Sequence, residues 1–70
     1  MDVSKLGNHL KTRRKAAGLT QADLAARVNV SRKSINTIEN QVFVPSTILA
    51  LRLARELKCS VEDLFFEIEE

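Results

Sequence analysis

The segment from Thr20 to Asn40 admits few folds. Thr20 followed three residues later by Asp23 is a helix-start signal: the hydroxyl accepts from a free backbone N–H and the carboxylate reaches back. Leu24, Ala25 and Val28 then recur at helical spacing, which predicts a helix over about residues 21–28. Asn29 tolerates a left-handed backbone better than other non-glycine residues, so the chain can reverse there. Val30 plugs the turn with an apolar side chain, and Ser31 reads as the next N-cap. Ile35 and Ile38 mark one buried stripe on a helix over about residues 31–40. Two short helices joined so tightly must cross steeply, and Ala25 is small enough to let their backbones approach.

The remaining sequence supplies helices to pack around this pair. A first helix is expected from about Ser4 to Ala17, with Leu6, Leu10 and Ala17 inward and Gly18 as its C-terminal stop. Pro45 ends the run Gln41-Val42-Phe43-Val44, and Ser46 caps a fourth helix over about residues 47–58 with Leu49, Ala50, Leu53, Ala54 and Leu57 as its core stripe. Ser60 with Asp63 opens a fifth at about residues 61–66, where Leu64 and Phe65 close the core and Phe43 lies over its edge. No segment alternates with period two long enough to argue a sheet. Phe66-Glu67-Ile68-Glu69 is either a short strand or a fraying tail. The expected fold is all-α, a compact five-helix bundle: one domain over residues 1–70, with its core at about 4–66 and an acidic tail at 67–70.

Seventy residues lie near the lower limit for a self-sufficient core. No apolar run reaches membrane-spanning length, and the first residues lack the apolar segment of a signal peptide, so no membrane partner is expected. Cys59 is the single cysteine, which excludes an intrachain disulfide and fits a reducing cytoplasm. It is either a small buried apolar position or a redox-sensing thiol. His9 has no nearby nucleophile. There is no Cys/His cluster for zinc and no glycine-rich phosphate loop. An enzyme, a metal site, a cofactor and a small-molecule ligand are therefore not expected.

The net charge of +2 conceals a division. Residues 1–58 carry all 11 Lys and Arg against 4 acids, whereas residues 59–70 carry 5 acids and no base. A basic body with an acidic end suits a polyanion-binding surface. The helix after Ser31 presents Arg32, Lys33, Asn36 and Thr37 opposite Ile35 and Ile38. Arg32 and Lys33 occupy its first turn, where the helix dipole disfavours cations by a few tenths of a kcal/mol each. An external anion removes that conflict. Arg and Lys can donate to guanine, Asn can pair with adenine, and Thr can touch a thymine methyl, so these four are the expected base readers of a helix set in the DNA major groove. Gln21 opens its own helix, whose free N–H groups can meet a phosphate. Gln21, Ser34, Lys11 and Arg13 are the expected phosphate contacts. Ile48, Leu51, Phe66 and Ile68 are left outside the core stripes and form the expected homodimer surface.

The chain resembles the phage-repressor and Cro-type helix-turn-helix family. The resemblance rests on Leu10 to Arg14, Gly18-Leu19-Thr20-Gln21, the segment already described through Ile38-Glu39-Asn40, then Pro45-Ser46 and Ser60-Val61-Glu62-Asp63-Leu64-Phe65, in order and correctly separated over residues 6–66. It implies a sequence-specific transcriptional regulator, a repressor or autoregulator, bound as a homodimer to an inverted repeat of double-stranded DNA. It implies a structural ion pair between Arg14 and Glu39, and a backbone clamp by Gln21 and Asn40. Two positions depart from the pattern: Gln41 and Lys58 stand where glycine is common, so either the turn differs or a non-glycine residue bears modest strain. The loop Val42-Phe43-Val44 also lacks the basic residues that some relatives place near phosphate. The alternative is a protein-binding helix-turn-helix module such as an antitoxin or adaptor.

Overall fold

The computed structural model describes residues 5–69, which run β1 (Lys5–Asn8), α1 (Leu10–Ala16), α2 (Gln21–Arg27), α3 (Arg32–Glu39), α4 (Thr47–Glu56), α5 (Val61–Leu64) and β2 (Phe65–Ile68). Four helix starts use the same chemistry. The side chains of Thr20, Ser31, Ser46 and Ser60 accept hydrogen bonds from the backbone N–H groups of Asp23, Ser34, Leu49 and Asp63. At α2 and α5 the bond is returned, with the Asp23 and Asp63 carboxylates accepting from the N–H of Thr20 and Ser60 at 2.9 and 3.0 Å. Each such cap satisfies donors that a helix end leaves free, and is worth about 1 kcal/mol.

Four helices also stop in one way. After α1, α2, α3 and α4 comes a residue in the left-handed region: Gly18 at φ 74°, Asn29 at 61°, Gln41 at 62° and Lys58 at 56°. The N–H of the next residue reaches five residues back, in the bonds Leu19 to Arg14, Val30 to Ala25, Val42 to Thr37 and Cys59 to Ala54. This is the Schellman arrangement, which ordinarily seats an apolar residue just past the turn. Leu19, Val30 and Cys59 pack against the core accordingly. Val42 does not, and is 77% exposed.

The core draws on every helix. Leu10, Leu24, Ile35, Leu53 and Leu64 are fully buried, with Ala25, Val28, Ile38, Leu49, Ala54, Leu57 and Phe65 around them. Each large aliphatic side chain so buried stabilises the fold by about 1.5–3 kcal/mol relative to exposure. No helix among the described residues is long and apolar enough to cross a membrane.

The all-α expectation needs correction, because β1 and β2 form a two-stranded antiparallel sheet with Gly7 opposite Phe66 and Lys5 opposite Ile68. The first helix starts at Leu10, and the residues expected to extend it lie in β1; Ser4 falls outside the described residues. The fifth helix likewise ends at Leu64, where Phe65 turns to extended backbone. A β-carbon on Gly7 would come within 2.7 Å of Ile68 Cδ1 and 2.6 Å of the Phe66 ring, so only glycine lets these side chains lie on β1. Two apolar placements also differ. Ala17 is exposed beyond the end of α1. Phe43, expected over the edge of the core, is 51% exposed.

Candidate nucleic-acid interface

α2 and α3 are joined by Val28 to Ser31 and pack on one another, with Leu24, Ala25, Ile35 and Ile38 buried in the common core. This burial fixes which face of α3 points out. Arg32 and Lys33 are exposed in its first turn, which contains no acidic residue. The ammonium groups of Lys33 and Lys11 have no partner among the described residues. Arg32 Nη1 donates to Gln21 Oε1 at 3.1 Å, so the two helix starts are tied across the turn.

Behind that tip lies a polar network. Arg14 on α1 grips Glu39 through Nε to Oε2 at 2.7 Å and Nη2 to Oε1 at 3.2 Å, with side chains only 8% and 3% exposed. Arg14 Nη1 also donates to the Leu19 carbonyl at 2.9 Å. Gln21 Nε2 donates to Glu39 Oε1 at 3.1 Å and to Asn36 Oδ1 at 3.2 Å. Asn40 Nδ2 donates to the same Asn36 oxygen at 3.2 Å and to the Asn36 carbonyl at 3.0 Å. No buried side-chain polar atom among the described residues lacks a partner. Buried charges and amides are tolerated only when satisfied in this way.

The network separates the candidate readers. Lys33 is free and Arg32 lightly held. Asn36 is half-buried, and both lone pairs of its Oδ1 already accept, so Nδ2 is the group it has to offer. Thr37 is half-buried, and its hydroxyl donates to the Ser34 carbonyl at 3.0 Å, which leaves its methyl. Among the phosphate candidates, the Ser34 hydroxyl lies 3.1 Å from that of Ser31. Arg13 is near Asp63 at 4.0 Å, an exposed pair of little strength. Lys11 is exposed on α1. Ile48, Leu51 and Phe66 are 63%, 55% and 40% exposed, and Ile68 is half-buried. Phe66 also stacks on His9, with ring centres 4.7 Å apart.

Two carboxylates are electrostatically distinct. Asp23 and Asp63 are held below the usual carboxylate range, first by the backbone N–H of Thr20 and Ser60 and then by the hydroxyls of the same residues.

Asn8 has a role that sequence reasoning missed. Its Nδ2 donates to the Ile38 carbonyl at 2.9 Å, and its Oδ1 accepts from the Leu10 N–H at 3.1 Å. One side chain therefore starts α1 and ties down the end of α3. An Asn two residues before an apolar helix start is the local signal for the second bond; nothing local signals the first.

This arrangement matches known proteins along most of its length. A family model described as helix-turn-helix matches residues 10–64. An HTH-type transcriptional regulator of Methanothermobacter thermautotrophicus is 46% identical over 57 residues, covering 80% of this chain and 83% of the relative. The crystal structure of the restriction-modification controller protein C.AhdI from Aeromonas hydrophila superposes with a TM-score of 0.73 at 28% identity, over 77% of this chain and 82% of that one. SinR, a master regulator for biofilm formation solved in complex with DNA, superposes at 0.70 and 26% identity, over 76% and 86% of the two chains. The chain belongs to the helix-turn-helix family, of the type found in phage repressors.

Proposed function

We propose that this protein is a sequence-specific DNA-binding transcriptional regulator, a repressor or autoregulator that sets α3 in the major groove. It is not an enzyme, as its family and the relatives it matches are transcriptional regulators. The observation that carries the reading is the exposed pair Arg32–Lys33 in the first turn of α3, where the helix dipole opposes cations and no acidic residue offsets them. A groove edge bearing guanine O6 and N7 meets that need.

Arg32 and Lys33 are the principal readers. Thr37 presents its methyl to thymine. Asn36 donates through Nδ2, and pairs bidentately with adenine only after giving up a bond from Gln21 or Asn40. Lys11, Arg13, Gln21, Ser34 and Asn40 set register on the phosphates. One such module buries about 600–1,000 Å² of its own surface on DNA, which favours a twofold dimer with its α3 helices about 34 Å apart on an inverted repeat. Ile48, Leu51, Phe66 and Ile68 supply the dimer contact. The exposed apolar area they leave supports this, as does the pairing available between basic Arg52 and Arg55 and acidic Glu67 and Glu69. Such a protein works in the cytoplasm, with the DNA.

Selection of bound duplexes from a random pool tests the reading. It predicts a short twofold-symmetric consensus containing guanine. A pool that never enriches would refute it.

A further inference from the structure

Asn8 lies in β1 opposite Phe65, between Gly7 and His9. Successive side chains of a strand point to opposite faces. Phe66 covers Gly7 and stacks on His9, and away from them the Asn8 carboxamide reaches the end of α3, where Nδ2 donates to the Ile38 carbonyl at 2.9 Å. The mount is firm: Phe65 is buried, and the His9 N–H donates to the Leu64 carbonyl at 2.8 Å. What it holds is short. α3 has eight residues, and the carbonyls of its last turn have no partner within the helix. Arg14 and Gln21 hold α3 through the side chains of Glu39 and Asn36, which have rotatable bonds. Asn8 holds it by the backbone, on a carbonyl that also accepts from the Gln41 N–H at 3.0 Å. A bond to the backbone fixes where the helix axis lies; a bond to a side chain leaves the axis some freedom.

We infer that Asn8 is a positioning residue for base reading: its amide pins the last turn of α3 to the sheet and so sets the angle at which Arg32 and Lys33 meet the groove. The inference rests on the DNA-binding reading above. Eight residues make a helix about 12 Å long, so a tilt of about 10° at the pinned end moves the tip by about 2 Å. Hydrogen bonds to base edges, confined to about 2.7–3.2 Å, do not survive that shift, whereas lysines on phosphate follow it with their flexible stems. Loss of the pin therefore costs discrimination between sequences before it costs affinity for DNA in general.

The bond can be removed without uncapping α1. Asn8→Asp keeps an oxygen that accepts from the Leu10 N–H and loses the donor to Ile38. Asn8→Ser does the same without adding charge, since its hydroxyl still turns back on the Leu10 N–H but is too short to reach Ile38. Both are compared with the wild-type protein on the selected duplex and on a mixed-sequence duplex, below the thermal midpoint of each, with folding checked by circular dichroism. Each variant is expected to lose about tenfold in preference for the selected duplex, and Asn8→Ser to keep its affinity for the mixed one within about twofold. Amide hydrogen exchange in the last turn of α3 should quicken about fivefold, with α1 unchanged. Equal weakening on both duplexes, or full affinity for the selected one, overturns the inference. So does failure of both variants to fold, which would assign Asn8 to stability alone. If wild-type protein binds no duplex in a salt-sensitive way, the DNA-binding reading itself has failed.

Discussion

Arg14 and Glu39 are joined side-on by two hydrogen bonds, at 2.7 and 3.2 Å, and almost no water reaches either side chain. The pair links α1 to the end of α3, and through Gln21 it extends to Arg32 at the exposed tip. A structural charge pair thus lies directly behind the proposed reading head. Bidentate geometry makes it strong, and burial makes it costly to break.

Replacing one partner strands the other charge. Glu39→Met or Arg14→Met alone is expected to destabilise the fold by about 3–5 kcal/mol, whereas the double variant carrying both changes loses less than either single change. Urea denaturation of the four proteins closes the cycle. Losses that simply add would mean that the pair is not coupled.

Gln41 and Lys58 adopt left-handed backbones at φ 62° and 56°, where a β-carbon is disfavoured. That conformation costs a non-glycine residue about 1–2 kcal/mol, and glycine gives back about 0.5–1 through its freer unfolded chain. Gln41→Gly and Lys58→Gly should each stabilise the protein by about 0.5–1 kcal/mol, read as a higher thermal midpoint. A lower midpoint for both would contradict this.

Asp23 and Asp63 are held below the ordinary carboxylate value by the caps they complete. A depressed folded-state value means that their stabilisation is present above about pH 4 and is lost as the pH falls through the folded value. The wild type should therefore exceed Asp23→Ala and Asp63→Ala in thermal midpoint at pH 7, with the gap closing below about pH 4. A gap that stays constant down to pH 2 would remove the carboxylates from the cause.

The parts readable from sequence are those set by neighbours in the chain. Four Ser or Thr caps and the stripes of α2, α3 and α4 were legible because hydroxyl spacing and helical period are local. β1 was not. Leu6 and Leu10 are four apart and mimic a helix face, while the strand is only four residues long and its partner begins at Phe65. Gly7 was the available clue, and it carries meaning only once Phe66 lies against it. At the interface, residue type and helix face gave Arg32 and Lys33. A distant partner, Gln21, half-occupies Asn36, while the Thr37 hydroxyl is taken by the local Ser34 carbonyl, and Val42, Phe43 and Val44 stand in solvent despite their composition.

The most direct test of α3 as the reading element is the affinity of Lys33→Ala and Lys11→Ala for a selected duplex and for random duplex. Lys33→Ala should lose about 1–3 kcal/mol on the selected duplex and little on random DNA, while Lys11→Ala weakens both alike and lowers the salt slope. Equal losses on both duplexes for both variants, or binding that ignores salt, would contradict it.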